Sequence, residues 1–398
     1  MSLRIRHIVF LFLLLFLGWI GWATYQYFFD INKPEMSLVG VSEEQYCAGD
    51  VQCALSSSKK AEVSLYLDGK PLITKFNLLY KNEDYPFTIP TKTIANGQHE
   101  LIINCMDTTY NKNKASIKRM FLVDNVPLQA AVIGSDAMQK VLQGRTLHIQ
   151  LQVNKPVDSV VASVLSGKYT CFPESEGSLI YECYVPVSCE EQPNEYLITI
   201  DLVDKVGNTV CLDSKFQVIA YPFKKEFLHI SPEKVKEEEA LGVDSSKFEE
   251  LVKKIGEQSV PKKLWRGAFC APIDIVRITC DFGLIRTTQH RGRYAHKAVD
   301  VINRPQSVIW APQDGIVVMK ERFAMSGNSV IIDHGWGIIS LFFHLDSFAP
   351  INVGDFITKG KPLGYLGKTG YASGYHLHWE MRINNIPVDP MQWVKTTF

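Results

Sequence analysis

The chain has 398 residues with 42 basic and 42 acidic side chains, so its formal net charge is zero. At roughly 150 residues per domain it is too long for one core, and without a net basic field it offers no general attraction to nucleic acid. A composition of 46% hydrophobic and 21% charged residues excludes both a disordered chain and one embedded throughout in a membrane, and nine cysteines with no Cys-x-x-Cys pair point to an oxidising compartment.

Arg4 and Arg6 precede an apolar run from Ile8 to Phe29, and the first acid is Asp30. As a helix, residues 8 to 29 would reach about 33 Å, enough for a hydrocarbon core of about 30 Å. Basic residues before the run and Trp22, Tyr25 and Tyr27 at its far end orient the amino terminus towards the cytoplasm. A cleaved signal peptide is the competing reading, but Ala23-Thr24-Tyr25 is not a small-x-small site. The expectation is a retained single-pass anchor over 1–30 in the cytoplasmic membrane, with the rest of the chain on the periplasmic or extracytoplasmic side.

From about 35 to 222 the texture is short alternating strands and polar turns, which predicts a mainly β chain. Val63 to Leu67 alternates and ends in Asp68-Gly69, and Gln98 to Cys105 follows Asn96-Gly97. Leu147 to Val153 and Tyr196 to Leu202 repeat the pattern. The stretches "GQHELIINCMDTTYNKN" and "NEYLITIDLVDKVGNTV" align as strand, acidic turn and Gly/Asn turn, about one sandwich domain apart. Two β-sandwich modules are expected, 35–126 and 127–222, and their texture resembles the bacterial Ig-like domains of cell-surface proteins.

Between 223 and 262 charged residues (Lys234, Lys236, Glu237, Glu238, Glu239) combine with Phe248, Leu251, Val252 and Ile255 at helical spacing. A helical linker is expected, its charge run a solvated face. Past Pro261 abundant glycine and β signals open a third domain, 263–398. There, four stations gather histidine and aspartate: His296 to Asp300, Asp333-His334-Gly335, Phe342 to Leu345 with His344, and His376 to Glu380. Two side chains two apart on a strand share a face, so His376 and His378 can point together while Leu377 and Trp379 face a core. Catalytic zinc needs three protein ligands and an open position. His296, Asp300 and one of His376 and His378 would supply them.

The runs "HKAVD", "GNSVIIDHGWGIISLFFHL" and "GYLGKTGYASGYHLHWE", with "DFGLIR" and "VIWAPQDGIVV" before them, resemble in order the signatures of the M23 (LytM-type, lysostaphin-like) zinc metallopeptidases. The resemblance covers about residues 263 to 393. It implies an antiparallel β domain in which His296, Asp300 and His378 bind Zn2+, while His344 and His376 are catalytic histidines that do not bind it. It implies hydrolysis of peptide bonds in the stems or cross-links of peptidoglycan. Ala298-Val299 departs from the family's first motif, Tyr375 replaces a proline before His-Leu-His, and Phe342-Phe343 are aromatic. These changes bear on the cleft and leave every chemical residue in place.

Two other functions compete: a non-cleaving activator of another cell-wall hydrolase, acting through a regulatory protein partner, and a binding protein working through the Ig-like modules. Among other residues, His334 reads as structural and His290 as part of a polar loop. His99-Glu100 lacks the second histidine of H-E-x-x-H, because Ile103 stands there. Gly367-Lys368-Thr369 lacks the first glycine of a phosphate loop, where Pro362 stands. Of the cysteines, Cys270 and Cys280 could staple the entry to the third domain, and Cys171, Cys183, Cys189 and Cys211 could pair within the second sandwich, with connectivity open and an odd total that leaves at least one thiol unpaired within the monomer.

Overall fold

A computed structural model describes residues 2–78, 80–134, 138–289 and 292–398, and the side chains of 2–7, 234, 237–238 and 241–245 fall outside that description. His290 and the side chains of Arg4, Arg6, Lys234, Glu237 and Glu238 therefore lie outside the described residues. The chain is mainly β and divides into two compact units, Met1–Pro127 and Leu128–Phe398.

The first unit begins with helix α1, Ser2–Phe29. Its segment Ile8–Phe29 has a mean hydropathy of 2.1 and none of it is buried, so it is long and apolar enough to cross a membrane. Beyond it a five-stranded sheet and a three-stranded sheet share one core. Leu55 and Ile89 come from the smaller sheet, and Val63, Leu65, Leu101, Ile103 and Phe121 from the larger. Ala61–Leu67 and Lys70–Leu78 form a hairpin because Asp68 and Gly69 both adopt positive φ (51° and 74°), the twist that a two-residue loop needs. In the second unit, residues 130–219 build another pair of sheets, five- and four-stranded, around Ile149, Leu151, Ala162, Cys183, Ile200 and Phe216.

The two aligned stretches carry the same device. Gly97–Asp107 and Glu195–Asp204 each end in a buried aspartate that organises the following turn. Asp107 accepts hydrogen bonds from Thr109 and Asn113 and pairs with Lys59 at 3.3 Å. Asp204 accepts from Val206 and Asn208 and pairs with Lys155 at 2.6 Å. A buried carboxylate is tolerated at both places because its lone pairs are filled.

The segment after residue 222 opens with a strand, Lys225–Leu228, which pairs in parallel with Ile285–Thr288. Helix α2 (Pro232–Glu257) follows and does not stand clear as a spacer. Its stripe of Phe248, Leu251, Val252 and Ile255 is buried on Met319, Ile331, Ile339, Leu341 and Phe343 of the C-terminal sheet. That ten-stranded antiparallel sheet runs in the order Arg277–Cys280, Val299–Ile302, Leu377–Ile383, Ile338–Phe348, Gly327–Gly335, Gly315–Phe323 and Phe356–Ile357, with three short strands off this path.

Helix α3, Pro390–Lys395, fastens this domain to the neighbouring sandwich. Asp389 caps it by accepting from the Met391 amide at 2.8 Å and pairs with Arg145 at 3.0 Å. Gln392 bonds to both the amide and the carbonyl of Thr146, and Trp393 Nε1 donates to Thr146 Oγ1 at 3.0 Å. Trp393 also packs with Tyr184, Trp265, Phe269 and Phe398. Trp393→Ala is expected to lower the unfolding free energy of the second unit by about 3–5 kcal/mol, read from the midpoint of a denaturant titration.

All nine cysteines are free thiols. Cys270 Sγ lies 3.4 Å from the Pro312 carbonyl, whereas Cys280 sits across from Asp300 on the edge of the large sheet, so the expected staple between them is not formed. Cys171 and Cys183 are both buried in the core of the second sandwich, the Cys171 thiol within 3.9 Å of the Tyr169 carbonyl, and Cys211 is exposed.

Candidate metal centre and its histidines

Strand register builds the site. Asp300 stands opposite His378 on one side and opposite Cys280 on the other, and His378 stands opposite Phe343. Directly opposed residues share a face, so these four form one row across the sheet. Strand alternation buries Leu377 and Trp379 fully on the other face, in the core with Val299 and Phe342. Just before its strand, His296 is held by two backbone bonds, its amide to the Leu284 carbonyl and its carbonyl to the Gly283 amide. Its Nε2 lies 3.3 Å from Asp300 Oδ2, and His378 Nδ1 lies 2.9 Å from Asp300 Oδ1.

Burial would raise the Asp300 carboxyl, but hydrogen bonds from His296 and His378 hold it well below the usual carboxylate range. Burial likewise opposes charge on His378, yet Asp300 and Glu380 push it up to about 9. Glu380 and Arg382 were not singled out as site residues from sequence, although their spacing of two from His378 puts them on its face. His378 Nε2 is 3.9 Å from Glu380, Glu380 accepts from Arg382 Nε at 2.6 Å, and Arg382 makes two bonds to Glu249 of α2. Against its burial, Arg382 and His378 hold Glu380 at about 2. The Phe343 ring stacks on His378 with centroids 5.0 Å apart and 6° between planes, and Phe248 of α2 packs edge-on against Phe343.

His344 sits at φ 63°, beside a register shift in its strand, which turns its ring to the side of the row. Its Nδ1–H donates to the Thr369 carbonyl at 2.8 Å, so Nε2 carries the free lone pair. Burial, then the neighbouring His376, push His344 down to about 4. His376 Nδ1 similarly meets the Gly374 carbonyl at 2.9 Å, and the two rings are 4.7 Å apart. Gly367-Lys368-Thr369 thus supports His344: Thr369 Oγ1 donates to Leu345 O and accepts from the Asn328 amide. Gly327 must be glycine here, because a Cβ would meet the Thr369 backbone and its φ is +68°.

His334 and His99 are structural. His99 is bonded to Asp68 and to the Ala95 carbonyl. His334 is fully buried, donating from Nδ1 to the Asp314 carbonyl and accepting at Nε2 from Ser340. Burial pushes it down to about 4. Its folded pKa lies below the unfolded value near 6.5, so its contribution is fully present above pH 6.5 and is lost as pH falls through 4. That contribution is on the order of 3 kcal/mol. The metal-free chain should lose stability between pH 7 and 4, and His334→Gln should flatten that slope in denaturant titrations, while His344 keeps part of it.

Cys280 is a site neighbour that sequence spacing did not single out. Its Sγ and one ligand atom each of His296 and Asp300 all lie within 4.8 Å of one another. Its thiol is pushed up to about 12 by burial.

Residues 294–390 match the family model for Peptidase family M23. The chain is 33% identical over 121 residues to the DD-carboxypeptidase/endopeptidase Mpg of Neisseria meningitidis serogroup B, covering 30% of this chain and 27% of that protein. It is 31% identical over 121 residues to the peptidoglycan DD-endopeptidase ShyC of Vibrio cholerae, covering 30% and 28%. The chain therefore spans under a third of the length of these curated relatives. The solved catalytic domain of lysostaphin from Staphylococcus simulans aligns at 24% identity and a TM-score of 0.25, covering 33% of this chain and 90% of that one.

Proposed function

Starting from a chain whose C-terminal part is a peptidase M23 domain, we propose a membrane-anchored, zinc-dependent endopeptidase that hydrolyses peptide bonds in the stems or cross-links of peptidoglycan. The observation that carries this reading is the convergence of His296 Nε2, Asp300 and His378 Nδ1 within 3.3 Å contacts, with His344 and His376 alongside. Two imidazoles and a carboxylate are a donor set that suits zinc and leaves a position for water. His296, Asp300 and His378 would hold the ion. Once bound, zinc would lower the pKa of its water to about 7 and polarise the scissile carbonyl.

The chain's own residues supply the rest. Glu380 stands behind His378, and a carboxylate there keeps a ligating imidazole oriented and basic. His344 is neutral at working pH and presents a free Nε2, as a proton acceptor requires. His376 presents its Nε2 side by side with it. The two divide the remaining tasks: one takes the proton from the attacking water and passes it to the leaving amine, and the other, in the form that carries a proton on Nε2 as well as on Nδ1, donates a hydrogen bond to the carbonyl oxygen. Relatives named as peptidoglycan DD-endopeptidases support the substrate class, and the exposed apolar segment Ile8–Phe29 supports the anchor. On this reading the catalytic domain lies on the extracytoplasmic side, and in chain order the two sandwich modules come between the anchor and it.

Digestion of purified sacculi by the detergent-solubilised chain, followed by mass spectrometry of the released muropeptides, tests the proposal. Chelator-sensitive release of peptides is expected, with the fragments identifying the bond. Release indifferent to chelator, or none from any cross-link type, overturns it.

A further inference from the structure

The hydrolytic reading leaves the thiol of Cys280 without a task. Cys280 stands on the edge strand Arg277–Cys280, directly opposite Asp300 and therefore in the row that continues to His378. A register shift between Ile278 and Cys280 sets its position, and such bulges re-aim side chains. The residue is 3% exposed, and its sulfur lies with ligand atoms of His296 and Asp300 inside a 4.8 Å cluster. A second observation points the same way. The His296 side chain is nine-tenths buried, yet its Nδ1 has no hydrogen-bond partner. A ligating imidazole is ordinarily locked by a bond from its other nitrogen. Here Nδ1 makes no such bond, and the ring's polar contact is the one that Nε2 makes with Asp300.

We propose that Cys280 is a fourth protein ligand of the metal centre formed by His296, Asp300 and His378, its thiolate closing the coordination sphere in the resting state. The inference rests on the metal reading above. Zinc binds thiolate at about 2.3 Å and nitrogen or oxygen at about 2.0–2.2 Å. In a tetrahedral centre of those bond lengths, sulfur and its fellow ligands are about 3.5 Å apart, so the Cys280, His296 and Asp300 cluster has to tighten and the Cys280 and His378 side chains, which flank Asp300, have to turn towards each other. On binding, the thiol loses its proton to solvent as sulfur takes the ion, and no electron is transferred. Four protein ligands make a closed sphere, whereas catalysis needs one position open. Cys280 therefore acts as a latch: with sulfur bound, water has no place on the ion, and with sulfur displaced the three remaining ligands form the open centre.

The test uses the full chain in detergent, stripped of metal and loaded with cobalt(II). The expected result is a near-ultraviolet thiolate-to-cobalt charge-transfer band that disappears in Cys280→Ser while cobalt remains bound. In the zinc form, X-ray absorption should show one sulfur at about 2.3 Å. Bound cobalt without that band, or a band that survives in Cys280→Ser, overturns the assignment and leaves the metal reading standing. A wild-type chain that takes up neither cobalt nor zinc overturns both. Should Cys280→Ser fail to fold, the sulfur shell of the wild-type zinc form decides alone: its presence supports the assignment and its absence overturns it.

Discussion

His378→Ala is expected to empty the metal centre and abolish peptide release together. The imidazole touches Asp300 with one nitrogen and faces Glu380 with the other, so on the proposed reading its removal takes away a ligand together with the contact that links Glu380 and Arg382 to Asp300. His296, Asp300 and the buried Cys280 thiol, which must lose its proton before it can bind, then remain, and this set holds the ion too weakly to stay loaded. Metal content by mass spectrometry should fall with activity, and added zinc should restore neither at concentrations that saturate the wild type. A His378→Ala protein that stays loaded, paired with a His376→Ala protein that comes out empty, would mean that the two histidines have exchanged roles.

His344→Ala should separate what His378→Ala joins. Its Nδ1 is committed to the Thr369 carbonyl and its ring stands beside the row, 6.2 Å from the His378 ring centroid. Zinc content should therefore stay near that of the wild type while the rate on sacculi falls by roughly a hundredfold or more, the usual worth of a positioned proton acceptor or an oxyanion donor. The same pattern is expected for His376→Ala. Full activity in either variant would remove that histidine from the chemistry.

Much of this arrangement is legible in the residues themselves, because period-two patterning is a local signal. Val63 and Leu65 alternate inward as their spacing requires, Asp68-Gly69 makes its hairpin, and Leu377 and Trp379 bury one face while His378 takes the other. The matched turns at Asp107 and Asp204 show that even the internal similarity had a physical basis in one carboxylate filling a turn. Cross-strand facts are of another kind. That Cys280 stands opposite Asp300 and not near Cys270 depends on a bulge and a register set by the whole sheet. That α2 covers the sheet, where a helical linker with a solvated charge run was expected, depends on where the side of Phe343 and Leu341 that faces α2 finds a partner, which the spacing of Phe248 and Val252 permits but does not dictate.

The position of α2 has a consequence for where the C-terminal domain can be cut. The family match begins at residue 294, yet Glu249 neutralises Arg382 from 133 positions away in sequence, Phe248 packs behind the Phe343 ring that stacks on His378, and Trp265 fills the aromatic joint. A fragment trimmed to the matched segment would leave Arg382 short of its outer partner, the His378 platform bare and the edge of Asp300 without Cys280. The portion of the chain that relatives share is thus shorter than the portion that sets the properties of the centre. Fragments meant to keep this arrangement intact should begin upstream of α2, and, because Thr146 holds Trp393, upstream of the second sandwich as well.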